Sequence, residues 1–137
     1  MPGWPIPPEF PLTDLLGQEL TQVCIGLGQV QIHLYRQPQP GTPDKWKPGA
    51  RIEAETAFSL GNTGQLPHRV DQQDFRRSGG ILTSLLGQTV TDVLREAGNE
   101  LQLSFSGGLA LVLHTDQQGF ESYHLHIADE SVTVTRA

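Results

Sequence analysis

Apolar and polar positions alternate along much of this chain. Val30, Ile32 and Leu34 fall on one side of an extended segment, and Gln31, His33 and Tyr35 on the other. Leu101, Leu103 and Phe105 alternate with Gln102 and Ser104 in the same way. A period of two predicts strands with one buried and one wetter face. Further strands are predicted over 19–25, 51–60, 120–127 and 131–135. In the 51–60 stretch Ile52, Ala54, Thr56, Phe58 and Leu60 share a face opposite Arg51, Glu53 and Glu55. Leu109 to Leu113 is apolar on both faces, which predicts a strand covered on both sides. The linker, the N-terminal arm or a second subunit are the candidates for that cover. Helical signals are short: one turn capped by Thr13 or Asp14 and stopped by Gly17, and a polar helix over 71–80.

The alternation is written twice. Leu12, Thr13, Leu15, Leu16, Gly17, Gln18, Thr21 and Val23 recur as Leu82, Thr83, Leu85, Leu86, Gly87, Gln88, Thr91 and Val93. The expected fold class is mainly β (α+β), with two related antiparallel β-meander units packed into one domain by short connecting helices. The expected division of the single domain 1–137 is a Pro-rich arm 1–11, a first β unit 12–70, a linker 71–80 and a second β unit 81–137. One sheet, a sandwich and a partly closed barrel all fit the pattern. The copies diverge at the arm and at a Pro-rich loop over 36–49 carrying Trp46, where the second copy has only Ser106-Gly107-Gly108. His124 and His126 also appear in the second copy alone.

Composition agrees with many short strands. Charged residues are 18% of the chain, with 15 Gly and 10 Pro, where ~25% charged is usual. The net charge of −6 is uneven: residues 1–80 carry 8 acidic and 7 basic side chains, and residues 81–137 carry 7 and 2. An acidic second half disfavours nucleic acid and favours a basic protein partner. No run approaches the ~20 apolar residues of a membrane-spanning helix. The N-terminus has no secretory pattern, so the expected location is cytoplasmic. A single cysteine, Cys24, excludes an intramolecular disulfide.

Candidate chemistry is sparse. His124-x-His126 places two imidazoles on one strand face, a weak start to a metal site that needs three or four ligands. Glu53 and Glu55 share a face with Arg51, and Glu53 is matched with Glu121 in the second copy. A charge-balanced surface explains these carboxylates more cheaply than catalysis. Cys24 aligns with Leu94 and reads as a small core hydrophobe. There is no nucleophile elbow, phosphate loop or dinucleotide fingerprint. An enzyme is therefore disfavoured and no cofactor is expected. On the arm, Trp4, Ile6 and Phe10 are read as packing back over an open core edge; a dimer-exchanging arm and a polyproline-type ligand for an aromatic groove are the sharper alternatives.

The second half carries Leu-Gly-Gln-x-Val-x-x-Val (Leu86 to Val93), Leu-x-Leu-x-Phe-Ser-Gly-Gly (Leu101 to Gly108) and Phe-Glu-Ser-Tyr (Phe120 to Tyr123). These motifs resemble a family of small uncharacterised bacterial proteins built on a domain of unknown function. The resemblance implies a β-rich fold and no assigned activity. This chain departs from it in its arm, its Trp46 loop, Ser106-Gly107 in place of the usual Asp, and Tyr123 in place of Trp. By analogy such small acidic proteins are similar to immunity proteins of bacterial toxin systems. The expected function is a non-enzymatic protein-binding module, with Trp4, Trp46, Glu121 and Tyr123 as its contact residues. The alternatives are a homo-oligomeric structural protein, including a homodimer, and a small metal-dependent enzyme.

Overall fold

The fold is given by a computed structural model, which describes residues 5–37, 41, 47–62, 67–116 and 121–135. The first half supplies strands β1 (Glu19–Ile25), β2 (Val30–Arg36), β3 (Lys47–Ala54), β4 (Ala57–Asn62) and β5 (His68–Asp71). The second half supplies β6 (Val90–Arg95), β7 (Leu101–Phe105), β8 (Leu109–His114), β9 (Tyr123–Ile127) and β10 (Glu130–Val134). Between them lies a short helix α1 (Phe75–Ser78), continued by a 3-10 stretch over Gly79–Leu85.

These strands form two five-stranded antiparallel sheets. The first has the order β1-β2-β3-β9-β10 and the second β5-β4-β8-β7-β6. Written from the meander outward, the second order is the first with five added to every strand, taken cyclically. Each half therefore gives a three-stranded meander to one sheet and its last two strands to the other. The mainly β, meander-based fold is as expected, and the units interleave rather than stack as separate blocks.

The predicted single strand over 51–60 is two strands. The chain turns at Glu55–Thr56 and passes from one sheet to the other. Ile52 and Ala54 point inward from the first sheet, and Phe58 and Leu60 from the second, and all four are buried. Both inner faces look into one core, so the alternation runs through the corner in phase and hides it. β8 and β9 likewise do not form a hairpin with each other, because they belong to different sheets.

The two inner faces meet in a dry core. Val30, Ile32 and Ile52 from one sheet and Phe58, Leu111 and Leu113 from the other surround a cavity of only ≈ 10 Å³, at the lower limit of the space a water needs. Phe75 of the linker stacks on Phe58 with centroids 5.8 Å apart. β8 is the middle strand of its sheet; Leu111 and Leu113 are buried inward, while Ala110 and Val112 on the outer face are only half-buried.

The repeated Leu-Leu-Gly-Gln segments are turns that join the two halves. Leu16 has φ −61° and ψ 129°, and Gly17 has φ 81°. Leu86 has φ −58° and ψ 130°, and Gly87 has φ 83°. This matches a type II turn, which needs positive φ at its third residue. Gln18 N–H donates to Leu15 O at 3.1 Å, and Gln88 N–H to Leu85 O at 3.0 Å. The turns then bond across: Gly17 N–H to Val90 O and Gly87 N–H to Leu20 O, both at 2.9 Å. Leu20 N–H donates to Gln88 O at 2.9 Å and Val90 N–H to Gln18 O at 3.0 Å. Each turn thus caps the other half's first strand.

The arm packs back on the body. Ile6 and Phe10 are 5% and 7% exposed and belong to the core. Arg95 holds the arm by donating to Ile6 O at 2.7 Å and Pro7 O at 2.8 Å. Trp4 and Trp46 lie outside the described residues. Pro11, rather than Thr13 or Asp14, occupies the N-cap of the short 3-10 turn Leu12–Leu15.

Candidate functional site

The outer face of the β1-β2-β3-β9-β10 sheet concentrates the polar chemistry. Its pairings set Gln22, His33, Arg51, His126 and Ser131 in one cross-strand row. Cys24, Gln31, Glu53, His124 and Thr133 form the next. His126 Nε2 lies 3.6 Å from Glu53 Oε1, and Arg51 Nε lies 2.9 Å from the same oxygen. His126 Nδ1 meets Ser131 Oγ at 2.9 Å. Burial, then the Arg51 guanidinium, lower the pKa values of both His33 and His126, with Glu53 opposing. His124 adds to the lowering at His126.

His124 is held differently from His126. Its Nδ1 is 2.8 Å from Thr133 Oγ1, and its Nε2 is 3.2 Å from Glu55 Oε1 and 3.9 Å from Glu121 Oε2. Glu55 sits on the inter-sheet corner. The amides of Glu55 and Thr56 both donate to Ser122 O, at 2.8 and 3.3 Å. That pair of bonds ties the corner to the lead-in of β9 and brings the two glutamates beside one imidazole.

A second polar cluster lies on the other sheet. Ser59 Oγ is 2.6 Å from His114 Nε2, and His114 Nδ1 is 2.9 Å from Glu100 Oε2. The order resembles a nucleophile relay, but Ser59 is only 3% exposed. Register also explains it. Glu53 pairs with His124 as Val112 pairs with Ser59, so His124 and Ser59 are equivalent positions, as are Glu55 and His114. In each sheet a polar contact at this place links the donated strand to the meander.

No protein-family model, curated protein or solved structure matches this chain.

Glu121 is exposed and comes together with His124. Its match with Glu53 does not hold in the fold, where Glu53 is the register equivalent of Val112. Tyr123 is fully buried and its hydroxyl donates to Asn99 O at 2.6 Å, so a docking partner would not touch it. Burial and the Glu100 carboxylate raise the pKa of that hydroxyl, against a smaller opposing effect of Arg95. His124 and His126 share an outer face but engage different glutamates, and His114 is on the other sheet. Cys24 is equivalent to Leu94, as aligned, yet neither is in the core. Cys24 is half-buried on the outer face, 3.9 Å from His33 Nε2.

The acidic second half is not one acidic surface. Asp92, Glu96 and Glu100 accompany the β6–β8 meander, while Glu121, Asp129 and Glu130 accompany β9 and β10 in the opposite sheet. No described helix is long and apolar enough to cross a membrane.

A wider opening than the core cavity lies along the edge strand β6. A groove of ≈ 460 Å³ runs between the arm and β6, with Pro8, Phe10, Leu12, Leu16, Val93 and Leu94 in its wall. Leu16 and Leu94 are 45% and 44% exposed. The Val93 amide there is taken by the neighbouring Asp92 carboxylate at 2.9 Å.

Proposed function

We propose that this protein is a non-enzymatic protein-binding module that takes an extended, apolar segment of a partner along the edge of β6. The observation that carries this reading is an asymmetry between two equivalent edges. β1 and β6 hold the same place in their sheets. At the end of β1 the linker packs close: a Cβ on Gly79 would come within 3.4 Å of Ile25 Cγ2 and 3.2 Å of Val30 Cγ1, and Gln72 Nε2 donates to Gly28 O. At the end of β6 the arm is held by Arg95, but it leaves the apolar groove beside Leu94.

An edge strand offers backbone groups to an added strand, and the flanking apolar positions select alternate side chains. An incoming carbonyl would replace the Asp92 carboxylate on the Val93 amide. Because the acidic residues are split between sheets, apolar fit rather than bulk charge selects the partner. An immunity-like role, in which that partner is a toxin, is one form of this reading. The shared topology of the halves supports reading them as an internal duplication.

The test is a photo-crosslinking residue placed at Leu94, and separately at the exposed Arg69 on β5, in the full-length chain. The expected result is a partner protein captured from native lysate through position 94, not through 69, and lost in a Leu16→Asp background. Equal capture at both positions, or none at 94, contradicts the proposal. Capture of a second copy of the chain replaces it with homo-oligomerisation.

A further inference from the structure

We infer that Glu55, Glu121 and His124 form a binding site for a first-row divalent transition ion, best matched by Zn²⁺. Among the described residues, these three side chains each offer a ligand atom, and all three atoms lie within 4.8 Å of one another. Two atoms bound 2.0–2.1 Å from a tetrahedral zinc lie about 3.3 Å apart. The separations of 3.2 and 3.9 Å from His124 Nε2 to the two carboxylates bracket that spacing.

The imidazole is oriented for this work from behind. Thr133 Oγ1 lies 2.8 Å from Nδ1. With Nδ1–H donating to that hydroxyl oxygen, the lone pair of Nε2 faces the carboxylates, as in metal sites where an outer partner fixes the ligating tautomer. The equivalent place in the other sheet is closed: Ser59 and His114 meet at 2.6 Å, leaving no separation for an ion. The graded exposure of the three side chains, 17% for His124, 32% for Glu55 and 66% for Glu121, leaves the site open on one side. Water would complete the coordination there. An imidazole with two carboxylates suits Zn²⁺ or its neighbours better than Mg²⁺ or Ca²⁺, which prefer oxygen alone.

This site is on the outer face of the first sheet and does not depend on the β6 groove. The test is calorimetric titration of EDTA-treated full-length protein with ZnCl₂ near neutral pH, with MgCl₂ as comparison and the visible spectrum of the Co²⁺ form as a second readout. One Zn²⁺ per chain is expected, with no comparable Mg²⁺ binding. His124→Asn and Glu121→Gln should each weaken Zn²⁺ at least tenfold, and Thr133→Val by about 10–100-fold. His126→Asn and Cys24→Ser should leave it unchanged. Glu121 is exposed, so its variant keeps the fold, and circular dichroism of each apo variant checks this. Absence of stoichiometric Zn²⁺, or binding indifferent to Glu121→Gln, or binding lost in Cys24→Ser, overturns the inference.

Discussion

The amide of Gly17 donates to the carbonyl of Val90 at 2.9 Å, and this bond has a mirror in Gly87 and Leu20. Both glycines have φ near +80°, and nothing lies within 4 Å of a Cβ added at either. Alanine would fit the space but not the backbone. Gly17→Ala and Gly87→Ala should each cost about 1–2 kcal/mol in urea denaturation, with similar values at the two sites. A loss at one site only would show that the turns are not equivalent.

The glutamine of each turn covers a glycine of the following meander. Gln88 accepts from Gly107 N–H at 3.0 Å and donates to Ser84 O at 3.1 Å. Gln18 lies over Gly49, is 1% exposed and donates to Asp14 O at 2.7 Å. A methyl group at either glycine meets the amide of its glutamine. Gln88 can swing toward solvent and Gln18 cannot. Gly49→Ala should therefore lower the melting temperature more than Gly107→Ala.

The arm belongs to the fold. Phe10→Ala removes a core ring and should cost about 3–5 kcal/mol. Arg95→Met removes two charge-assisted bonds to Ile6 O and Pro7 O and should make residues 5–10 the first site of limited proteolysis. Unchanged stability in Phe10→Ala would place the arm outside the core.

Ser59 should behave as a structural hydroxyl. A fluorophosphonate probe should leave it unlabelled, because it is nearly closed to solvent. Ser59→Ala strands His114 Nε2 and should cost about 1–3 kcal/mol. Labelling at Ser59 would reopen an enzymatic reading.

His33 makes stability depend on pH. Its pKa is lowered in the fold by burial and by Arg51, with Glu53 opposing and Cys24 also beside it. The unfolded chain then binds the proton more readily, so this contribution is present above the unfolded value of ~6.5. It is lost as pH falls toward the folded value and levels off below that. His33→Gln should flatten the fall in melting temperature between about pH 7.5 and about pH 5.5, roughly one unit either side of that value. An unchanged slope would remove His33 as its source.

Much of this was legible in the chain because strand alternation is local. The faces of β2 and β7, the repeat and the shared outer face of His124 and His126 all follow from spacing. The corner at Glu55–Thr56 was not, since the inward phase of Ile52, Ala54, Phe58 and Leu60 continues through it. Losing the corner meant losing Glu55 as a neighbour of His124. The role of Leu-Leu-Gly-Gln was hidden for a related reason. Its turn type is local, but its bonds run to the other copy, about seventy residues away. The groove beside Leu94 is set by where the arm lies against β6, through bonds from Arg95 to Ile6 O and Pro7 O that span almost ninety residues and that no local pattern carries.

Amide hydrogen exchange of the full-length protein, alone and with its captured partner, tests the β6 account most directly. Binding along β6 should slow exchange at the amides of residues 92–95 and leave the outer face of the first sheet unchanged. Protection confined to β1, β2 or the His124 face, with 92–95 exchanging as before, would contradict it.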